Sequence, residues 1–401
     1  MSTKKAAFFF GSGISYPSFD KDVASVDGIT GAAFNEDWHF TTCKTFGHGK
    51  PPSPYIPDDV TPAVVAFLQK VRACADEYIA YLDKSPKPRK AHYEDLFSLS
   101  EQASQPESTY VPNLAVVAFL RRLRKDTRSI YTKFKNPVVG SDSFVTLAQL
   151  SCDYLHWVVD HVLRCRSRKR AGLSLIVQAA RSVKELDIFT LNHDTFVEEQ
   201  FKGSGLNCEM GFGDRSRGNF SVYQPGWADP RKPRATTTRL FKLHGSLNWY
   251  LYEIPESPRP FRQYAIPDGD PYHVRDNRGR DVRPADWKAA FLSGTIVKEQ
   301  RYGYGFWSEL FSAFQEYLTH HTHLICCGYG FGDPGVNLRL EQWTRNLSGK
   351  NTLVILTPEP ARTYLVRKPI WMQQLWTEGR VVLIPQYLKD CKLRQIEKYF
   401  D

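Results

Sequence analysis

The sequence predicts an α/β fold: a largely parallel sheet with helices on both faces and an inserted helical layer. Three observations predict it. Six short apolar runs end in glycine or polar residues: "KKAAFFFGSGIS" (Lys4 to Ser15), "LDIFTLNHD" (Leu186 to Asp194), "RLFKLHGS" (Arg239 to Ser246), "HLICCGYG" (His323 to Gly330), "NTLVILT" (Asn351 to Thr357) and "RVVLIPQ" (Arg380 to Gln386). Runs this short, apolar without strict alternation, suit strands buried on both faces of a parallel sheet. Helical patterns lie between several of them. A long stretch from Val60 to about Lys184 carries apolar residues at three and four spacing in several segments, which marks a helical layer or subdomain.

Taken in order, the first run reads as a strand turning at Gly11 and Gly13. From Asp20 to Asp59 glycines and prolines dominate, among them Gly28, Gly31, Gly47, Gly49, Pro51, Pro52, Pro54 and Pro57, so this stretch reads as loop. Thr61 followed by Pro62, and Ser141 before Asp142, read as helix starts, and "KSPKPRK" separates two helices. After the later strands, 225–234 and 253–299 read as insertions or lids. The expected organisation is one domain over 1–401, with strands and site from 1–20 and 185–390 and the helical subdomain from about 60 to 184.

Composition narrows the class. With 42% apolar and 13% aromatic residues over 401 positions the chain can fill a sizeable core. No run approaches the roughly 20 apolar residues of a membrane-spanning helix, and no apolar segment follows Met1, so a cytoplasmic protein is expected. The eight cysteines include no C-x-x-C pair to hold zinc, so no metal is expected. Cys326 and Cys327, adjacent in a strand, should point to opposite faces and pack. A formal charge of +10 favours polyanions, but its two densest runs, Arg121 to Arg128 and Arg164 to Arg170, end helical patterns, where cations complement the helix dipole.

Ligands of open α/β sheets bind beyond the C-terminal strand ends, and four of these ends carry unusual residues: Gly11-Ser12-Gly13, Asn192-His193-Asp194, His244-Gly245-Ser246 and Gly328-Tyr329-Gly330. Each alone has an ordinary explanation, as a turn, a helix cap or a satisfied buried histidine. The glycine turn supplies only the first two glycines of G-x-G-x-x-G, with Tyr16 in the third place. Its backbone N–H groups could still approach a diphosphate, with the Ser12 and Ser15 hydroxyls as further donors.

In this order, "GSGIS", "TLNHD", "KLHGS" and "GYGFGDPGVN" resemble the motifs of the sirtuin-like domain family, and "HYEDLF" (His92 to Phe97) is similar to the branch found in bacterial anti-phage defence. The resemblance implies a Rossmann-like sheet and NAD as substrate. It departs from protein-deacylating members in lacking the zinc module, in carrying Leu191 where glutamine is usual, and in matching the segment after the glycine loop only at Phe19.

The resemblance implies roles. Gly11, Ser12 and Gly13 would hold the diphosphate, Ser15 would join them, and Asp194 would accept a hydrogen bond from the nicotinamide amide. Asn192, able to donate and accept, would position a water or ribose hydroxyl, and His244 would be the general base. Gly328 and Tyr329 would contact the adenosine half, with Asp333 a helix cap before Pro334. The leading expectation is an NAD hydrolase acting as an abortive-infection effector, controlled by self-assembly as a homo-oligomer, by a HerA-type ATPase partner, or by nucleic acid as trigger. A protein deacylase and a non-enzymatic nucleotide- or DNA-binding module are the alternatives.

Overall fold

A computed structural model describes residues 4–15, 25–34, 60–83, 88–105, 114–134, 140–164, 173–214, 218–229, 238–254, 262–286, 288–294, 296–345 and 350–401. Tyr16, most of 20–59 and the basic run beyond Arg164 lie outside the described residues. The chain divides into two units, one formed by Met1–Phe19, Ser167–Leu292 and Glu299–Asp401, the other by Asp20–Arg166 and Ser293–Lys298.

The first unit is built on six strands: β1 (Lys5–Phe10), β2 (Glu185–Thr190), β3 (Thr238–Lys242), β4 (His323–Cys327), β5 (Thr352–Leu356) and β6 (Val381–Ile384). They lie in the order β6-β5-β4-β1-β2-β3, and every neighbouring pair is parallel. The six strands are those the apolar runs predict. The chain leaves β1 toward β2 and β3, then resumes on the opposite side of β1 with β4. This reversal puts a crevice between β1 and β4, the position where doubly wound sheets of this order bind nucleotides.

Apart from their first residues, β1, β2, β4 and β5 are buried throughout, which requires cover on both faces. Phe9, Phe189, Phe241, Cys326 and Ile355 share one face and pack with Phe311 and Phe314 of helix Gly305–Leu318 and Leu340 of helix Pro334–Thr344. Helix Ser174–Ser182, whose buried residues lie outside that cluster, packs on β2. Cys326 belongs to the cluster and Cys327 points away from it; both are buried free thiols, and burial pushes both well above the ordinary thiol range.

The N-terminal ends of the strands carry a buried ionic network. Arg239 on β3 pairs with Asp187 on β2 through Nε and, at 3.1 Å, through Nη2. Its guanidinium lies 4.7 Å from the Tyr317 ring centroid. His321 faces Asp187 through Nε2 at 2.8 Å and Asp401 through Nδ1 at 3.2 Å. With a carboxylate oxygen at each ring nitrogen, both nitrogens must carry protons. Replacing Arg239 with leucine leaves Asp187 with an uncompensated share of buried charge, and unfolding in denaturant is expected to show a loss of about 3 kcal/mol.

The same network fixes a pH dependence. Burial would push the Asp187 carboxyl up, but hydrogen bonds and charge from His321 and Arg239 hold it below the usual range. Burial would lower His321, but its two carboxylate partners hold it above its ordinary value. The Asp187 contribution is therefore complete above about pH 4 and lost as pH falls through the depressed folded value; that of His321 is complete below about pH 6.5 and lost as pH rises through the raised one. The denaturation midpoint is expected to be highest between these limits, and an Asp187→Asn chain to show a flatter acid limb.

The first unit carries further β structure, and of the stretch 225–234 read as an insertion or lid the residues from 230 lie outside the described residues. Phe212–Asp214, Phe220–Tyr223, Arg262–Pro267 and Tyr250–Glu253 make a four-stranded sheet in that order, antiparallel throughout. Val274–Arg275 pairs with Asp281–Val282. The 253–299 segment, read from its sequence as an insertion or lid, supplies a sheet strand, a hairpin and the start of helix Ile296–Arg301.

The second unit is helical, with Val26–Phe34, Thr61–Leu82, Tyr93–Ala103, Leu114–Asp126, Arg128–Tyr131 and Ser143–Arg164. Helix Ser174–Ser182 belongs to the sheet unit, so the helical unit ends near Arg166, short of the expected 184. Pro62 occupies the first turn of its helix as predicted, whereas the helix expected to start at Ser141 is capped by Asp142, whose Oδ1 accepts from Phe144 N at 2.9 Å. "HYEDLF" starts the helix Tyr93–Ala103: Asp95 accepts from His92 N and from both Arg89 amino groups. Glu94 binds the buried Lys298, tying 293–298 into this unit. Among the described residues no helix is long and apolar enough to cross a membrane.

Candidate functional site

The loops after β1 and β4 meet backbone to backbone. Gly11 N donates to Cys327 O and Gly13 N to Gly328 O, each at 3.0 Å. A Cβ on Gly11 would lie 2.5 Å from Gly328 O, and one on Gly13 2.8 Å from Gly328 Cα. Gly328 has φ 64°, and its own Cβ would lie 2.6 Å from Ile14 N. The glycines are required because the two chains at the switch point touch through their backbones. This changes the role expected of them: the amides of Gly11 and Gly13 serve the junction, so a diphosphate would have to be held by other groups of the loop.

From this junction the 3₁₀ turn Ser12–Ile14 brings Ser15 to the end of β2. Ser15 Oγ donates to Asp194 Oδ2 at 2.6 Å, and Asn192 Nδ2 donates to Ser15 Oγ at 2.9 Å. All three residues are buried. The chain of donors fixes the amide orientation: a carboxylate only accepts, so Ser15 gives it its proton and can then only accept from Asn192. Asn192 Oδ1 is left buried without a hydrogen-bond partner, which is costly unless a ligand or water supplies a donor. Ser15, expected as a cofactor contact, lies between the two motif residues and positions both.

Asp194 is held from three sides. Its Oδ1 accepts from Phe196 N at 3.0 Å, opening helix Phe196–Gly203. Its carbonyl accepts from the buried Lys242 Nζ, which also pairs with Glu198 at 2.8 Å. Burial pushes the Glu198 carboxyl up, partly countered by Lys242. Lys242 is a positioning residue with little signal in the sequence, since "FKLHG" reads equally well as a strand end with an exposed lysine.

One strand further along the sheet His244 follows β3, buried at 3% exposure. Its Nε2 lies 2.7 Å from Tyr302 Oη and 3.1 Å from Asp333 Oδ2, and Tyr302 Oη donates to Asp333 Oδ2 at 2.6 Å. Asp333 is also the helix cap expected of it, with Oδ1 accepting from Val336 N at 2.9 Å. It therefore does more than cap. Tyr329, expected at the ligand, packs its ring on Phe9 at 4.9 Å and gives its hydroxyl to Asn337 at 3.0 Å; its buried ring belongs to the core. Only proximity in the fold could reveal Tyr302, because "RYGYGF" carries no motif.

The structure brings Gly11, Ser12, Gly13, Ser15, Asn192, Asp194, His244 and Gly328 to the C-terminal ends of four strands around one switch point. A family model described as a SIR2-like domain matches residues 187–376. The match takes in Asn192, Asp194, His244, Tyr302, Gly328 and Asp333, and sheet pairing adds the glycine loop that precedes it. No curated protein matches the chain.

Proposed function

Because residues 187–376 match the model of the SIR2-like domain, a family typically of NAD-dependent enzymes, we propose that the protein hydrolyses NAD to nicotinamide and ADP-ribose. The observation that carries the reading is Asn192 Oδ1, a buried acceptor without a partner at the switch point of a nucleotide-type sheet. It suits a water or a ribose hydroxyl, either of which can donate to it.

In this reaction the bond between ribose C1′ and the pyridinium nitrogen breaks, nicotinamide leaves with the electron pair, and a water oxygen bonds C1′ while losing one proton. Asn192 Oδ1 would orient the water or the neighbouring hydroxyl by accepting from it. His244 would take the proton. The Asp194 carboxylate, with lone pairs beyond those given to Ser15 and Phe196, would accept from the nicotinamide amide. Ser12 would join in holding the diphosphate, and Gly328 would line the adenosine side.

The proposal extends to biology: NAD depletion in an infected bacterial cell, restrained until the chain self-assembles, meets a HerA-type ATPase or is triggered by nucleic acid. The motif order and the likeness of "HYEDLF" to the defence branch support that part. The test incubates purified protein with NAD, alone and with the candidate partner or DNA, and measures nicotinamide and ADP-ribose, with light scattering for assembly. Equimolar release of both products supports the reading. Turnover that needs an acylated peptide and yields O-acyl-ADP-ribose would replace it with a deacylase.

A further inference from the structure

The triangle of His244, Tyr302 and Asp333 contains more chemical information than a histidine with a carboxylate beside it. Asp333 Oδ2 can only accept. Tyr302 Oη, which donates to it at 2.6 Å, has one proton and has used it. Toward His244 the phenol oxygen is then an acceptor, and at 2.7 Å it takes the proton of Nε2. The direct approach of Nε2 to Asp333 Oδ2 at 3.1 Å makes the same demand. Every described partner of Nε2 accepts, so Nε2 carries the proton, and in a neutral imidazole that assignment leaves the lone pair to Nδ1.

The phenol is held in place by its surroundings. Its ring stacks on Phe311 at 3.7 Å between centroids and 25°, and lies nearly parallel to the His244 ring at 5.8 Å and 17°. A Cβ on Gly335 would come within 2.6 Å of the ring, so the helix that starts at Asp333 leaves room for it by carrying glycine there. The Arg339 guanidinium sits 5.9 Å over its face. On another side of His244 the His193 ring lies at 6.2 Å.

We propose that Tyr302 is a positioning residue that fixes His244 in the Nε2–H form by bridging it to Asp333, so that Nδ1 is the nitrogen that accepts the proton in catalysis. Its kinetic consequence rests on the hydrolase reading; the tautomer does not.

The test uses the full chain with ¹⁵N-labelled histidine. Two-bond ¹H–¹⁵N spectra at neutral pH are expected to show His244 with a protonated Nε2 and a lone-pair Nδ1; the opposite tautomer overturns the proposal. Tyr302→Phe keeps the ring on Phe311 and removes only the hydroxyl, which takes the nearer of the two described acceptors from Nε2, so the His244 ¹⁵N spectrum should move away from the single wild-type tautomer. With NAD as substrate, kcat is expected to fall about 10- to 100-fold with KM within about twofold. Gly335→Ala, which displaces the ring and keeps the hydroxyl, should shift both readouts in the same direction. An unchanged spectrum and kcat in both variants overturn the proposal. If the wild-type chain leaves NAD intact under every condition, the hydrolase reading falls and the spectrum alone decides the role of Tyr302.

Discussion

Asn192→Ala is expected to lower NAD turnover by about 100-fold or more, the scale on which loss of a positioned reactant shows itself. The substitution removes the acceptor Oδ1 and the donor to Ser15 together, but Ser15 keeps its bond to Asp194 and the backbone N of Asn192 keeps its bond to Thr190 Oγ1. The stability cost should therefore stay near 1 kcal/mol. Release of nicotinamide followed beside thermal unfolding separates the two effects. Turnover within a few-fold of wild type would remove Asn192 from the chemistry. Asn192→Asp is expected to be as inactive and less stable, since a carboxylate oxygen would replace the donor facing a hydroxyl that has already given its proton away.

The second large effect is expected at Gly11. Its φ of −107° is open to any residue, so Gly11→Ala is opposed by contact alone: the new methyl would meet Gly328 O at 2.5 Å and Tyr329 Cα at 2.6 Å. Both are backbone atoms and neither can rotate away. Separating the two loops costs the hydrogen bond from Gly11 N to Cys327 O and strains the one from Gly13. A loss of about 3 kcal/mol in denaturant unfolding is expected, at the upper end of ordinary overpacking, together with loss of NAD binding by calorimetry. Gly328→Ala opposes the same junction from the other chain, so the double variant should fall short of the sum of the single ones. A fully additive pair would show that the glycines act separately.

Much of the site is legible in the sequence. Buried parallel strands announce themselves as short unbroken apolar runs, and a strand must end somewhere near the ligand edge of such a sheet. Gly11, Asn192, Asp194, His244 and Gly328 could thus be placed together. Lys242 and Tyr302 could not. A lysine at a strand end looks solvent-exposed until the helix after β2 covers it with Glu198. A tyrosine just before a glycine looks like part of a turn until its ring packs against Phe311. Nor could Asp333 be seen as more than a cap, because the sequence shows the helix it starts but not the histidine opposite.

The linear pattern of residues was sufficient for the class of fold, the six strands and the identity of the motif residues, since these depend on local apolar spacing and on groups that follow strand ends. It was not sufficient for the division of labour among them. Strand order, with β4 returning beside β1, makes the glycines a backbone junction, turns Ser15 into the link between Asn192 and Asp194, and seats Tyr302 between His244 and Asp333. Those contacts join residues from 31 positions apart, Tyr302 and Asp333, to 316 apart, Gly11 and Cys327. Which donor meets which acceptor over such separations is decided by packing, and hydrogen-bond direction then follows from the few protons available.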